Sequence, residues 1–140
     1  MIKVSLIGSG NIAQHLLRAF GKTTDIEIVQ VIARTKTELL SLISEEKIVG
    51  NYDAMLPTDV VIIAVSDNAI AKVSSQITLK NTLVVHTSGT IAMEALNTFN
   101  PKGVFYPLQT FSKSKEVDFN EIPIAIEAEN KEAILLLEKV

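Results

Sequence analysis

The stretch KVSLIGSGNIAQHL, which runs from Lys3 to Leu16, decides the fold. An apolar run of strand length reaches two glycines, and apolar residues then recur at the spacing of a helix that Gly21 would end. The junction between them reads G-x-G-x-x-A from Gly8 to Ala13. A strand, a short turn and a helix in this succession are typical of the first unit of a parallel α/β sheet.

The glycine junction is the first candidate for a binding site. In this pattern the first glycine permits a tight turn, the second lets a pyrophosphate approach the backbone, and a small third residue lets helix and strand pack closely. The N–H groups at the start of the helix attract an anion. The pattern therefore predicts a dinucleotide site, the alternative being a turn that only joins strand to helix. Its cofactor-binding residues would be Gly8, Ser9, Gly10, Asn11, Ile12 and Ala13.

The end of the second apolar strand indicates which dinucleotide would bind. Proteins that bind NAD place an acidic residue there, where it accepts hydrogen bonds from the ribose. This chain instead has Arg34, followed by Thr35 and Lys36. A guanidinium pairs with a phosphate through two hydrogen bonds and stacks on flat rings. The residues therefore predict NADP(H), with this segment around the 2′-phosphate; the alternative is that the segment is a solvated loop.

Apolar runs alternate with helical patterns along the rest of the chain. We expect strands near residues 2–7, 26–33, 48–52, 59–65, 82–87, 103–106 and 122–128, and helices near 12–21, 35–43, 68–76 and 91–96. The run 59–65 is apolar on both faces, as a central parallel strand is. The alternation predicts an α/β fold, namely a Rossmann-like, doubly wound, mostly parallel sheet in a three-layer α/β/α arrangement.

The end of the chain has an unusual pattern. The apolar run Ala133 to Leu137 would cover more than one face of a final helix over residues 131–140, and such a helix needs burial on most sides. We expect residues 1–140 to be one NADP-binding domain whose final helix leads to a missing C-terminal helical domain, or packs against another subunit. The alternative is a terminal helix packed on the sheet edge.

The composition of the 140 residues argues against several classes of protein. Hydrophobic residues make up 47% and charged residues 21%, which is typical of a folded core. A net charge of −3 with scattered basic residues argues against a nucleic-acid partner. There is no cysteine, and we expect His15 at the surface or rim of the first helix, at a site unrelated to that of His86, so we expect no metal site. Without a leader pattern or an apolar run of membrane length, the sequence predicts a soluble cytoplasmic protein.

Ligands of parallel α/β sheets bind at the carboxyl ends of the strands, and a polar segment follows the fourth strand there. Ala64, Val65 and Ser66 are expected to let a ribose and a nicotinamide lie over the sheet. Asp67 would either contact substrate or cap the following helix, and we favour the cap.

The fifth and sixth strands supply the catalytic candidates. His86 would be a proton donor or a hydrogen-bonded structural residue. Ser88, with Gly89, would present a hydroxyl and free backbone N–H groups to an anionic or carbonyl substrate. Tyr106 and Gln109 would form a pocket wall, the alternative being a packed loop that closes the sheet.

Several of these segments resemble a known group of proteins. GSGNIA, ARTKTE, DVVIIAVSDNAI and LVVHTSGT are similar to the NADP-binding domain shared by β-hydroxyacid dehydrogenases, pyrroline-5-carboxylate reductase and F420-dependent NADP reductases. YPLQTFS and the following EIP segment more narrowly resemble the bacterial Rossmann-like proteins that carry a DUF2520 domain. The resemblance covers essentially the whole chain.

The resemblance implies roles for the residues already named. Arg34 and Thr35 would bind the 2′-phosphate, residues 64–66 would line the nicotinamide side, and Ser88 would stand in a substrate-contacting loop. The relatives add a C-terminal helical domain that dimerises and supplies a catalytic lysine or other acid, so this chain alone would be inactive. The histidine and threonine before Ser88 depart from the dehydrogenases.

Two functions are consistent with these observations, and a third possibility is a Rossmann-like shell that binds no nucleotide. The first is an NADP(H)-dependent oxidoreductase that transfers hydride to or from a small carbonyl, imine or alcohol and works as a homodimer. The second is a non-catalytic NADP(H)-binding or sensing module, since a fold alone does not fix an activity. The catalytic residues stay unassigned, with Ser88, His86, Tyr106 and Gln109 as candidates.

Overall fold

The computed structural model describes residues 2–21, 26–33, 43, 45–50, 55–77, 79, 82–88, 91, 93–96, 100–107 and 124–128. Its strands are β1 (Ile2–Ile7), β2 (Ile26–Ile32), β3 (Ile48–Val49), β4 (Val60–Ile63), β5 (Leu83–His86), β6 (Lys102–Pro107) and β7 (Ile124–Ala128). The α-helices of the described residues are α1 (Asn11–Gly21) and α2 (Ile70–Ser74). Turns of 3-10 helix span Glu45–Lys47, Asp67–Ala69 and Met93–Ala95.

The strands form one sheet in the order β3-β2-β1-β4-β5-β6-β7. Strands β1 to β6 are parallel, and β7 pairs antiparallel with β6. The chain moves from β1 outward to β3, returns to β4 on the other side of β1, and then moves outward again. The carboxyl ends of β1 and β4 therefore meet at a topological switch point, where ligands of such sheets bind. This order confirms the mostly parallel, Rossmann-like sheet that the sequence predicts.

Both faces of the sheet are covered by other parts of the chain, which explains why the central strand β4 is apolar at every position. All four residues of β4 are fully buried. On one face Ile62 belongs to a cluster that includes Leu16 of α1. On the other face Ile63 belongs to a cluster that includes Ile70 of α2 and Leu96. The predicted three-layer α/β/α arrangement is confirmed.

Several elements are shorter than their sequence patterns predict. The third strand covers only Ile48–Val49, and a 3-10 turn at Met93–Ala95 stands where a helix over 91–96 is expected. Residues 68–76 form the end of a 3-10 turn followed by α2. Short helices gain little from propensity alone, so tertiary packing sets their length. Most of the expected helix 35–43 and all of the expected helix 131–140 lie outside the described residues.

The expectation that His15 lies at the surface is wrong. Its side chain is 1% exposed, and every residue from Ala13 to Leu17 is buried. The covered face of α1 is therefore wider than the stripe of apolar residues that marks it in the sequence. His15 is a buried residue of the helix that follows the glycine turn.

Two further findings concern membranes and metals. None of the helices in the described ranges is long and apolar enough to cross a membrane. Over the same ranges, the His, Asp and Glu side chains form no group that could hold a metal ion.

Candidate functional site

The turn after β1 is fixed to the strands on both sides of it. The Gly8 N–H donates to the Ile32 carbonyl at the end of β2 at 2.9 Å, and the Ala64 N–H donates to the Ile7 carbonyl at 2.8 Å. Gly8 has a φ of +131°, which side chains of L-residues rarely allow, and a Cβ at this position would overlap the Ala64 carbonyl oxygen. The first glycine therefore lets β1 turn tightly against β4 at the switch point.

The second glycine stands where α1 begins. The Gly10 carbonyl accepts the first helical hydrogen bond, from the Gln14 N–H at 3.0 Å. The N–H groups of the first helical turn consequently have no acceptor within the helix. A Cβ built on Gly10 meets no atom within 4 Å, so open space lies in front of this residue. The first turn of α1 also carries no acidic side chain that would repel an anion.

These features fit the diphosphate of a dinucleotide. An anion can approach Gly10 closely, and the positive end of the α1 dipole and its N–H groups stabilise negative charge there. Ala13 is fully buried, so its small side chain lets α1 pack directly on the sheet. Ile12 is half-buried and packs against the core cluster that contains Ala13. Of Asn11 only the backbone is described.

Gln14 supports the turn from inside the helix, a role that the glycine pattern does not reveal. Its side chain is 5% exposed, and its Nε2 donates to the Ser9 carbonyl at 2.9 Å. In a trans peptide the C=O and the N–H point in opposite directions. With the Ser9 carbonyl held by Gln14, the N–H of Gly10 in the same peptide points away from Gln14. Gln14 thus fixes the orientation of one backbone donor in the turn.

We expect the replacement Gln14→Met to weaken dinucleotide binding by about 3- to 10-fold, the effect of one lost hydrogen bond. Methionine has a similar length but no donor, so the Ser9–Gly10 peptide loses its fixed orientation. The measurement is the dissociation constant for NADPH by calorimetry. Gln76→Met, at an exposed glutamine, is the matched control and should change nothing. Equal affinities for both variants and the unmodified chain would contradict this role.

The segment after β4 forms the other side of the switch point. Ala64 is buried, Val65 is half-buried and Ser66 is exposed. Ser66 stands at the cap position of the 3-10 turn, and its side chain makes no capping hydrogen bond. The expectation that Asp67 is the cap is therefore wrong, because the turn begins at Asp67 itself, one residue earlier than expected, and Asp67 lies within it.

The segment after β5 is held by two side chains. The Thr87 hydroxyl donates to the Ile63 carbonyl of β4 at 3.3 Å, and the Ser88 N–H donates to Nδ1 of His86 at 3.0 Å. Thr87 and His86 are buried, whereas Ser88 is half-buried. The expectation that the Ser88 N–H is free for an anion is wrong, because this N–H already has an acceptor. The Ser88 amide is thus engaged within the turn.

The remaining candidate residues are described in part or not at all. Tyr106 lies on β6, and only its backbone is described. Ala33 is buried at the carboxyl end of β2, where its N–H donates to the Val49 carbonyl at 3.0 Å. The residues outside the described ranges are Arg34, Thr35, Lys36, Gly89 and Gln109. The structure thus brings together the turns after β1, β4 and β5.

Comparison with known proteins extends this description. Residues 3–89 match the family model described as NADP oxidoreductase, coenzyme F420-dependent. The match runs from β1 to just beyond β5, and it includes each of the three turns at the switch point. No protein among those with curated functions matches the sequence.

Solved structures show where the same fold occurs. The chain is 35% identical to a Bacteroides fragilis protein named as an NADP oxidoreductase, with 97% of this chain and 55% of that chain covered and a TM-score of 0.84. It is 17% identical to a Thermotoga maritima protein, with 98% and 55% covered and a TM-score of 0.69. Prephenate dehydrogenase from A. aeolicus, solved with hydroxyphenyl propionate and NAD+, is 10% identical, with 99% and 56% covered and a TM-score of 0.72. The last two show the fold alone, and the chain spans about half the length of each structure.

Proposed function

The chain belongs to the family of NADP oxidoreductases described as coenzyme F420-dependent, and we propose that it is the NADP(H)-binding domain of an oxidoreductase. The observation that carries this proposal is the glycine turn at the switch point. Gly8 lets β1 turn against Ala64, and Gly10 leaves open space at the start of α1. Both features match what a bound diphosphate requires. The similarity to the Bacteroides fragilis protein supports the same cofactor.

The adenosine half of the cofactor would lie toward β2. In this fold the residue after the second strand contacts the ribose next to adenine. Ala33 directly follows that strand, and Arg34, Thr35 and Lys36 come next in the sequence. We assign these three residues to the 2′-phosphate, because a guanidinium and an ammonium neutralise its charge and an acidic residue would repel it.

The nicotinamide half would lie toward β4 and β5. Ala64, Val65 and Ser66 would line this side. Ser88 would lie beside the nicotinamide half, at the boundary with the substrate, and Tyr106 and Gln109 would face the substrate. The bound cofactor supplies hydride chemistry, in either direction, between its nicotinamide ring and a small carbonyl, imine or alcohol. The residues of this chain would hold the ring, orient the substrate and exclude water.

The whole enzyme would need more than these 140 residues. The chain covers 55% of the Bacteroides fragilis structure, so that protein contains a second part of similar length. We propose that residues 1–140 are one cofactor-binding domain, that residues 131–140 lead to a C-terminal helical domain of the DUF2520 kind, and that this domain forms a homodimer and supplies the catalytic acid. The domain alone would then bind NADP(H) without turning over a substrate.

Titration with NADPH and NADH, before and after the replacement Arg34→Ala, tests the cofactor assignment. We expect NADPH to bind more tightly, and Arg34→Ala to weaken NADPH binding by about 10-fold while leaving NADH unchanged, as for the loss of a charged hydrogen-bonded pair. Lys72→Ala, at an exposed lysine of α2, is the control. Equal affinity for both cofactors, unchanged by Arg34→Ala, would remove the assignment to NADP(H). A folded chain that binds neither cofactor would remove the proposed function.

One observation favours the second candidate, a non-catalytic NADP(H)-binding or sensing module. His86 is fully buried, and its Nδ1 already accepts the Ser88 N–H. Within residues 82–88, no exposed histidine or acidic residue is therefore available as a proton donor. A longer chain that includes the C-terminal part, binds NADPH and oxidises it with no member of a panel of carbonyl and imine compounds would favour this candidate.

A further inference from the structure

The segment His86–Ser88 forms a turn that is closed by a side chain. Nδ1 of His86 accepts the N–H of the residue two positions later, at 3.0 Å. An aspartate or asparagine oxygen makes the same connection in an Asx turn. Because Nδ1 is the acceptor, the proton of the neutral imidazole is on Nε2. The ring thus serves as a fixed acceptor for the backbone of the turn.

Burial makes this hydrogen bond a structural constraint. The His86 side chain is 0% exposed, and its Cα pairs with Ile63 of β4 on one side and Val104 of β6 on the other. Thr87 is held to the end of β4 by its own hydroxyl. Two hydrogen bonds to neighbouring groups therefore determine the path of the backbone up to Ser88. Ser88, which is half-buried, is the first residue of this turn that is not fully buried.

We propose that His86 is a positioning residue that acts through Ser88. By holding the Ser88 amide, His86 sets the place of the Ser88 hydroxyl beside the nicotinamide half of the cofactor. This inference rests on the proposed function for the identity of the ligand, whereas the hydrogen bond itself does not depend on it. His86 is then neither the proton donor nor a merely space-filling residue. Its function in this proposal is to accept the Ser88 N–H at Nδ1.

Two replacements of His86 distinguish the effect of its hydrogen-bond acceptor from the effect of its side-chain volume. His86→Asn keeps an oxygen that can accept the N–H two residues later, but it removes part of the side-chain volume. His86→Leu keeps an apolar side chain in the same buried place but has no acceptor. If His86 only fills space, leucine should be the better replacement. If His86 positions Ser88, asparagine should be the better one.

The first test is spectroscopic and needs no ligand. We expect a scalar coupling between the Ser88 amide nitrogen and Nδ1 of His86 in the unmodified chain, and imidazole nitrogen shifts of the tautomer with the proton on Nε2. We also expect the Ser88 amide to exchange slowly in the unmodified chain and in His86→Asn, and rapidly in His86→Leu. Lack of the coupling in the folded chain, or the other tautomer, would overturn the proposal even if both variants failed to fold.

The second test compares two ligands by calorimetry. We expect His86→Leu to weaken NADPH binding by about 3- to 10-fold, which is the effect of one lost hydrogen bond. His86→Asn should keep most of the affinity of the unmodified chain. Adenosine 2′,5′-bisphosphate, which lacks the nicotinamide half, should bind the unmodified chain, His86→Leu and His86→Asn with equal affinity. Ser88→Ala should cause the same loss as His86→Leu, and the double variant should lose no more than either, because the two residues act as one unit.

The outcomes distinguish the two proposals. If the unmodified chain binds neither ligand, the proposed function fails, and the coupling and exchange measurements still decide whether His86 holds Ser88. If NADPH binds but His86→Leu and His86→Asn have the affinity of the unmodified chain, or if leucine is the better replacement, the positioning role is wrong. Additive losses for His86→Leu and Ser88→Ala would show that His86 does not act through Ser88.

Discussion

The replacement Gly8→Ala should lower the free energy of unfolding by about 3 kcal/mol, the combined effect of a strained backbone and an overfilled site. The φ of +131° is unfavourable for any residue with a Cβ, and the added carbon would overlap the Ala64 carbonyl oxygen. That oxygen belongs to the backbone, so no side-chain rotation can relieve the overlap. Either β1 and β4 move apart, or the turn changes its path.

Urea denaturation followed by circular dichroism measures this effect. Gly21→Ala is the matched control, because Gly21 ends α1 without a positive φ and a Cβ there meets nothing within 4 Å. The free energy of unfolding of Gly21→Ala should change by less than about 1 kcal/mol, because alanine has a higher helix propensity than glycine. If Gly8→Ala and Gly21→Ala were equally stable, the close approach of β1 and β4 at Gly8 would be wrong.

The parts of the fold that the sequence predicts well are those whose pattern depends on local chemistry. The run 2–7, the glycine turn and α1 are placed within one residue, because each has its own signal: β-branched residues, two glycines and a helical stripe. The central strand β4 is also recognisable, since a strand buried on both faces needs an uninterrupted apolar run. The alternation of strands and helices then leaves few arrangements other than a doubly wound sheet.

The parts that the sequence does not predict depend on packing between distant segments. Nothing around His15 indicates that α1 is covered on a wide face, because burial there depends on residues elsewhere in the chain. In the part of the chain that the structure describes, the third strand pairs with β2 at two positions, and Gly50, where its sequence pattern continues, already lies outside the strand. A 3-10 turn at Met93–Ala95 also stands where the sequence predicts a helix, because propensity is a weak guide that tertiary context overrides.

The candidate site shows the same division. The glycine pattern identifies Gly8 and Gly10, because their role follows from the absence of a side chain. It does not identify Gln14, whose role depends on a hydrogen bond to a carbonyl five residues earlier. The sequence also does not show that the Ser88 amide donates a hydrogen bond within the turn. Its acceptor is His86, which from the sequence alone is a candidate proton donor. Side-chain to backbone hydrogen bonds of this kind leave little trace in a single sequence.

The replacement Gly10→Ala should lower the free energy of unfolding by no more than about 1 kcal/mol, since alanine caps a helix less well than glycine, and should weaken NADPH binding by about 100-fold, equivalent to about 2.7 kcal/mol. A Cβ on Gly10 meets no atom of the protein within 4 Å, so the chain tolerates it without adjustment. The same carbon would enter the open space at the start of α1, where the second glycine of the pattern lets the diphosphate approach the backbone. Gly8→Ala and Gly10→Ala thus add the same methyl group at positions two residues apart. The first mainly lowers the stability of the fold, and the second mainly weakens cofactor binding.

A choice of ligands localises the effect of Gly10→Ala. NADPH carries the diphosphate, whereas adenosine 2′-monophosphate has no phosphate on its 5′-oxygen and does not reach the turn. The replacement should therefore weaken NADPH and leave the monophosphate unchanged, as measured by calorimetry with Gly21→Ala as the control. If Gly10→Ala bound NADPH like the unmodified chain, the diphosphate would not lie at this turn. If it weakened both ligands equally, the turn would support the site as a whole instead of contacting the diphosphate.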